Sequence, residues 1–258
     1  MATVFRVAQS IAFAYECHTK QIFTYKKYFV RNIFNPPSTR VVNKWLNELV
    51  GKKQIHQVEV DDLNSLAQIH REDVNLAYFK REVDDDIESF ARHLIQCGFK
   101  GISERVSRET ISSIVNDKLN EAGLYTIGKV KLIQDISRIA RIFFTITQSH
   151  QIKLILKVVG DDACRKFHTD AYDLRVLCTY VGSGTEWIAD QFVNRRKLVS
   201  GTNEEIIRDF SKVQQTEPFE IAILKGEVKS KPNGKGIVHR SPPIQHIGGK
   251  RLLLRLDF

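Results

Sequence analysis

After His150 the chain breaks into five short apolar or alternating runs: IKLILKVVG (152–160), LRVLCTYVG (174–182), FEIAILKG (219–226), GIVHR (236–240) and RLLLRLDF (251–258). Each is bounded by Gly, Pro, Asp or Asn and is short for a helix, so the runs read as strands. Strands this closely spaced bury their apolar faces by stacking or closing into a sandwich or barrel. Their spacing is too irregular for a repeat array.

The preceding stretch has another texture. From about 61 to 147 the pattern reads as helical almost throughout. Asp84-Asp85-Asp86 precedes IESFARHLIQCGF, placing acids at a helix N-terminus, where the macrodipole favours them. SRETISSIVNDKLNEAG follows, with Ser107 as N-cap and Gly123 as terminator, and a third helix spans about 128–147. Residues 1–60 are aromatic-rich and mixed. Asn35-Pro36-Pro37-Ser38 breaks them ahead of a helix over 38–51, in which Val41, Val42, Trp45, Leu46 and Leu49 recur at helical spacing. The expected fold class is α+β: a mainly helical N-terminal region, 1–150, packed on a β-rich region, 151–258, the two forming one compact unit.

The formal charge is +9, which raises phosphates, nucleic acid and small anions as partners. Its distribution weakens the nucleic-acid reading. Residues 1–60 hold 9 basic and 3 acidic side chains, residues 61–160 hold 14 of each, and residues 161–258 hold 16 and 13. No nucleic-acid-binding motif accompanies the excess. Cys17, Cys97, Cys164 and Cys178 form no C-x-x-C pair, so nothing calls for disulfides or a zinc ribbon. The first residues lack a signal-peptide apolar core, and no stretch approaches the roughly 20 apolar residues of a membrane span. A cytoplasmic location is expected.

The chemistry concentrates after residue 150. FHTD gives the motif H-x-D at His168 and Asp170, and on an extended chain residues i and i+2 point the same way, so imidazole and carboxylate converge. Alone the motif is weak, since eight histidines and 30 carboxylates produce about one such match by chance. Order strengthens it. His239 ends the GIVHR strand, and the final strand brings Arg251 and Arg255. Two imidazoles and a carboxylate are the ligand set of non-haem Fe(II) oxygenases, and an arginine one strand later offers a fork for a carboxylate. The plainer readings are an ordinary strand histidine at 168, a strand-capping one at 239 and solvated arginines at 251 and 255. Cys164 and Cys178 read as small buried hydrophobes; as ligands beside His168 they would favour zinc.

H-x-D, the turn Gly182-Ser183-Gly184-Thr185-Glu186-Trp187, Lys225-Gly226-Glu227, a His-bearing strand and a terminal Arg strand resemble the Fe(II)/2-oxoglutarate dioxygenase core. FHTDAYDLRVLCTYVGSGTEW, AILKGE, GIVHRSPP and RLLLRLD also resemble a bacterial family known as domain of unknown function 1826, closely over 160–258. The first resemblance implies a C-terminal double-stranded β-helix of the jelly-roll or cupin-like type. It implies His168, Asp170 and His239 as Fe(II) ligands and 2-oxoglutarate as co-substrate. It further implies Arg251 at the distal carboxylate, Arg255 at the other, and Tyr180 or Thr179 as a hydrogen-bonding partner of the co-substrate. The expected activity is hydroxylation or dealkylation of a prime substrate. The alternatives are a non-catalytic zinc-binding module, with Cys164 or Cys178 as fourth ligand, and an interaction protein on a degenerate scaffold.

Overall fold

The computed structural model describes residues 55–258 apart from 122, 124, 161–163 and 228–235. The helix expected over 38–51, Cys17 and nearly all of the N-terminal basic excess lie outside the described residues. Ile55–Phe258 form one compact unit. Among the described residues no helix is long and apolar enough to cross a membrane.

Among the described residues ten strands run in chain order as β1 His56–Glu59, β2 Val74–Phe79, β3 Ile102–Val106, β4 Ile152–Val159, β5 Leu174–Val181, β6 Glu186–Ile188, β7 Gln214–Gln215, β8 Ile221–Lys225, β9 Val238–Arg240 and β10 Arg251–Asp257. The helices are α1 Asp85–Gln96, α2 Ile111–Asn120, α3 Ile127–Thr147 and the short α4 Asn203–Ile206. Seven strands form one sheet in the order β1-β2-β8-β5-β10-β4-β3, and three form a second in the order β7-β6-β9. All neighbours are antiparallel except β1 and β2. The fold is thus mixed α/β around a large sheet.

Alternation in the strands decides what each face of the large sheet meets. Leu154 and Leu156 of β4, Val176, Cys178 and Tyr180 of β5, and Leu252, Leu254 and Leu256 of β10 join one core with the helices. From α1 that core takes Ile87, Phe90, Ala91 and Leu94, one stripe at helical spacing, and from α3 Leu132, Ile136, Ile139, Phe143 and Phe144. Phe143 and Phe144 are fully buried, each stabilising the fold by about 2–3 kcal/mol. On the opposite face Leu76, Leu177, Leu224 and Leu253 meet Ile237 and Trp187.

The helices fall where the periodicity puts them, with one shifted start. Asp84 caps α1, its carboxylate accepting from the backbone of Asp86 and Ile87. Thr126 caps α3 by accepting from Lys129 N–H. In α2 the cap is Thr110 rather than Ser107, whose hydroxyl instead donates to Glu109 at 2.6 Å. The larger correction concerns 61–147, where β2 and β3 are strands rather than helix. VNLAYF is a short, nearly continuous buried run, which periodicity cannot tell from a helical turn. ISERV alternates, but over only five residues and beside Gly101. Both join the same sheet as the strands after residue 150, β2 through β8 and β3 through β4.

Candidate metal centre

His168 and His239 are brought together by the backbone. Each donates its N–H to the other's carbonyl at 3.0 Å, an antiparallel bridge that sets the two side chains on one face. The rings lie 4.7 Å apart between centroids. Both Nδ1 atoms face backbone carbonyls, His168 that of Lys166 at 2.8 Å and His239 that of Ile237 at 3.2 Å. A carbonyl only accepts, so each Nδ1 carries a proton, which in the neutral ring leaves the lone pair on Nε2.

Asp170 supplies the carboxylate, and ligand atoms from the three residues lie within 4.8 Å of one another. Its Oδ2 is 3.4 Å from His239 Nε2, and its Oδ1 is 3.9 Å from His168 Nε2. Burial, opposed by the Asp170 charge and aided by the neighbouring His168, lowers the His239 imidazole to about 4. At neutral pH it therefore has no second proton to donate. Asp170 Oδ2 is buried without a hydrogen-bond partner. A lone pair thus faces an uncompensated carboxylate oxygen, an arrangement a cation between them satisfies.

Two further groups hold Asp170, and sequence reasoning gave neither a role. Arg175 pairs with Asp170 Oδ1 through Nη1 and with Asp257 through Nε at 2.6 Å. Its only sequence signal is an arginine inside the apolar run LRVLCTYV. Glu227 donates its backbone N–H to the Asp170 carbonyl at 2.7 Å and accepts from the Thr169 hydroxyl at 2.9 Å. The preceding Gly226 is required by space, because a Cβ there would lie 1.8 Å from the Tyr172 carbonyl.

A cavity of about 60 Å³ borders the cluster, with His168, His239, Arg175, Arg251, Arg255 and Lys157 in its wall. Arg251 and Arg255 share this face of β10, as four-residue spacing on a strand demands. Arg251 donates to Ser241 Oγ at 3.0 Å and Thr185 Oγ1 at 3.4 Å. Gly182 fixes where Arg251 emerges, since its φ is +89° and a Cβ would meet the Lys250 carbonyl at 2.6 Å. Arg255 is paired with Asp257 at 2.9 Å.

Tyr180 does not reach this cavity, which corrects the expectation for it. It lies on the helix-facing side of β5, fully buried, its hydroxyl donating to Asp135 of α3 at 2.8 Å. Thr179 shares the cavity-side face by alternation but is not in the cavity wall. Cys178 is likewise on the helix-facing side, with burial raising its thiol to about 12, and is removed as a zinc ligand. Cys164 is exposed and borders the cavity outside the cluster of ligand atoms. Within the Gly182–Trp187 segment, Glu186 and Trp187 belong to β6, which leaves 182–185 as the turn.

Known structures resemble the chain distantly. A Pseudomonas putida prolyl-4-hydroxylase is 11% identical, with 79% of this chain and 97% of that one covered at a TM-score of 0.40. The dioxygenase for auxin oxidation 1 from Arabidopsis thaliana is also 11% identical, covering 78% and 92% at 0.40. A Neurospora crassa protein solved in complex with alpha-KG and 5-formyluracil is 10% identical, covering 76% and 77% at 0.37. Likeness at this level transfers no activity. No curated protein matches the chain. The family described as "Protein of unknown function (DUF1826)" matches residues 60–257, and the chain belongs to it.

Proposed function

We propose that the protein is an Fe(II)- and 2-oxoglutarate-dependent dioxygenase that hydroxylates or dealkylates its prime substrate. Its two sheets then form a double-stranded β-helix, with β1, β2 and β3 extending the edges of the large sheet and the helices covering one of its faces. The reading rests on one observation: the buried, unpartnered Oδ2 of Asp170 lies 3.4 Å from the unprotonated Nε2 of His239. Two imidazole nitrogens and one carboxylate oxygen suit ferrous iron and leave positions for co-substrate and O₂. Zinc would find the same two imidazoles and carboxylate but no thiolate as a fourth ligand within the cluster.

When bound, the iron would supply activation of O₂, the oxidant, with two electrons coming from 2-oxoglutarate as it loses CO₂ to give succinate and two from the prime substrate's C–H bond. The chain's own residues orient and enclose. The carbonyls of Lys166 and Ile237 hold each imidazole in the tautomer that directs Nε2 inward. Arg175 fixes the Asp170 carboxylate, so that ligand stays oriented. Arg251 receives the distal carboxylate of 2-oxoglutarate, its fork already aligned by Ser241 and Thr185. Arg255, its charge largely offset by Asp257, lines the cavity near the chelating end.

The test is 2-oxoglutarate turnover by iron-loaded protein, followed as succinate release without added prime substrate, beside the His168→Ala variant. Slow uncoupled succinate release that the variant lacks is expected. Absence of both 2-oxoglutarate binding and succinate release, together with unchanged iron retention in His168→Ala, would overturn the reading.

A further inference from the structure

The cavity-bearing face of the large sheet continues across β4 to β3 at the sheet edge, and it is basic. Alternation puts Lys153, Ile155 and Lys157 on that face, while Ile152, Leu154 and Leu156 enter the core beneath the helices. Arg105 of β3 sits directly opposite Lys153. Lys157 sits opposite Leu253, between Arg251 and Arg255 on the same face. Like charges directly opposed weaken a strand pair, so Arg105 and Lys153 call for a counter-charge. The one carboxylate the sheet brings is Asp257, directly opposite Lys153 on β10 but already shared by Arg175 and Arg255, while Glu104 alternates to the other side, so the face keeps an excess of positive charge.

Lys157 is the sharpest case. It borders the cavity and, among the described residues, forms no hydrogen bond or ion pair, whereas Lys153 donates to the Ser103 carbonyl at 2.9 Å. Beside it, just ahead of β3, lies Gly101, which brings no side chain to cover it.

We propose that the prime substrate is a small organic anion carrying a phosphate, sulfonate or carboxylate, and that Lys157 receives this group. Lys153 and Arg105 then form the approach along β4 and β3. The term prime substrate rests on the dioxygenase reading, but the anion site at Lys157 does not. In that reading the co-substrate's distal carboxylate already has Arg251 and its chelating end the metal, which leaves Lys157 for a second anion. Nucleic acid fits the face poorly, since Ser103, Arg105, Lys153, Ile155 and Lys157 offer no aromatic surface for a base to stack on.

The experiment titrates sulfate, which mimics all three anionic groups, into the full chain at low ionic strength, by calorimetry, with and without saturating 2-oxoglutarate. Wild type is expected to bind sulfate in both conditions. Lys157→Gln should weaken sulfate about tenfold, as for loss of one charge-assisted contact, and Lys157→Arg should restore it. The 2-oxoglutarate affinity of iron-loaded protein should not change in Lys157→Gln. Sulfate binding indifferent to Lys157→Gln would overturn the proposal. So would displacement of sulfate by 2-oxoglutarate with an equal loss of 2-oxoglutarate affinity in the variant, which assigns Lys157 to the co-substrate. Lys157-dependent sulfate binding in a chain that never binds 2-oxoglutarate keeps the anion site and sinks the dioxygenase reading alone.

Discussion

His168 and His239, 71 positions apart in the chain, exchange both backbone hydrogen bonds at 3.0 Å, and this bridge sets their imidazoles side by side. Metal retention should therefore depend on pairing at residue 168 as well as on ligand chemistry. His168→Ala, His239→Ala and Asp170→Asn are each expected to lower iron retained after desalting at least tenfold, roughly the loss of one ligand bond's worth of affinity. Elemental analysis of the four proteins side by side checks this, and equal retention in any variant removes that residue from the ligand set.

Arg175 holds two carboxylates, Asp170 and Asp257, in a buried position. Replacing it by Met leaves Asp170 loosely oriented and both charges less compensated. Metal affinity should fall about 10–100-fold, as for an outer-shell partner of a ligand, and stability by roughly 3–5 kcal/mol. Competitive metal titration reads the first effect and urea unfolding the second. A loss of stability with unchanged metal affinity would show that Arg175 is structural only.

Arg251 and Arg255 face the same cavity but differ in what already engages them. Arg251 donates to two hydroxyls, whereas Arg255 is bound to a carboxylate that offsets its charge. Arg251→Ala should therefore raise the Kd for 2-oxoglutarate about 100-fold, and Arg255→Ala only a few-fold, since a charge-assisted bidentate pair is worth about 3 kcal/mol. Equilibrium binding to iron-loaded protein measures both, and a reversed order would exchange the roles.

Tyr180→Phe is expected to leave 2-oxoglutarate affinity untouched and to lower stability by about 1–2 kcal/mol, because its hydroxyl bonds Asp135 beneath the helices. Asp135 in turn accepts both ends of the Arg81 guanidinium, at 2.5 and 2.8 Å. A binding titration and a urea melt on the same preparation separate the two effects. A weaker co-substrate affinity at unchanged stability would return Tyr180 to the site.

The contrast between Tyr180 and Arg251 marks where the sequence stops being informative. H-x-D, the later histidine and the terminal arginines are legible because strand periodicity and order along the chain carry their geometry. Tyr180 misleads because LRVLCTYV is buried on both faces, so hydrophobicity along β5 does not say which face meets the cavity. β2 and β3 escape the pattern for a related reason, since their burial depends on partners, β8 and β4, that lie far away in the chain. The roles of Arg175 and Glu227 are fixed by hydrogen bonds to Asp170 that no local spacing encodes.

Glu220 gives the pH-dependent prediction. Burial raises its carboxyl from 4.5 to about 7; nearby Glu217 and Glu59 add to the shift, while Lys80 and the Glu217 backbone N–H oppose it. The folded state therefore holds this proton more tightly than the unfolded chain. The associated stability is complete below pH 4.5, declines between 4.5 and about 7, and is gone above. Glu220→Gln keeps the carbonyl that accepts from Glu217 N–H and has no charge to bury. Relative to wild type the variant should gain stability as pH rises through that window, reaching at most about 3 kcal/mol near pH 8. Urea unfolding of both proteins at about pH 4.5, 6 and 8 reads the difference, which cancels titrations common to the two. A difference that stays constant across those pH values would mean that Glu220 titrates alike in the folded and unfolded chains.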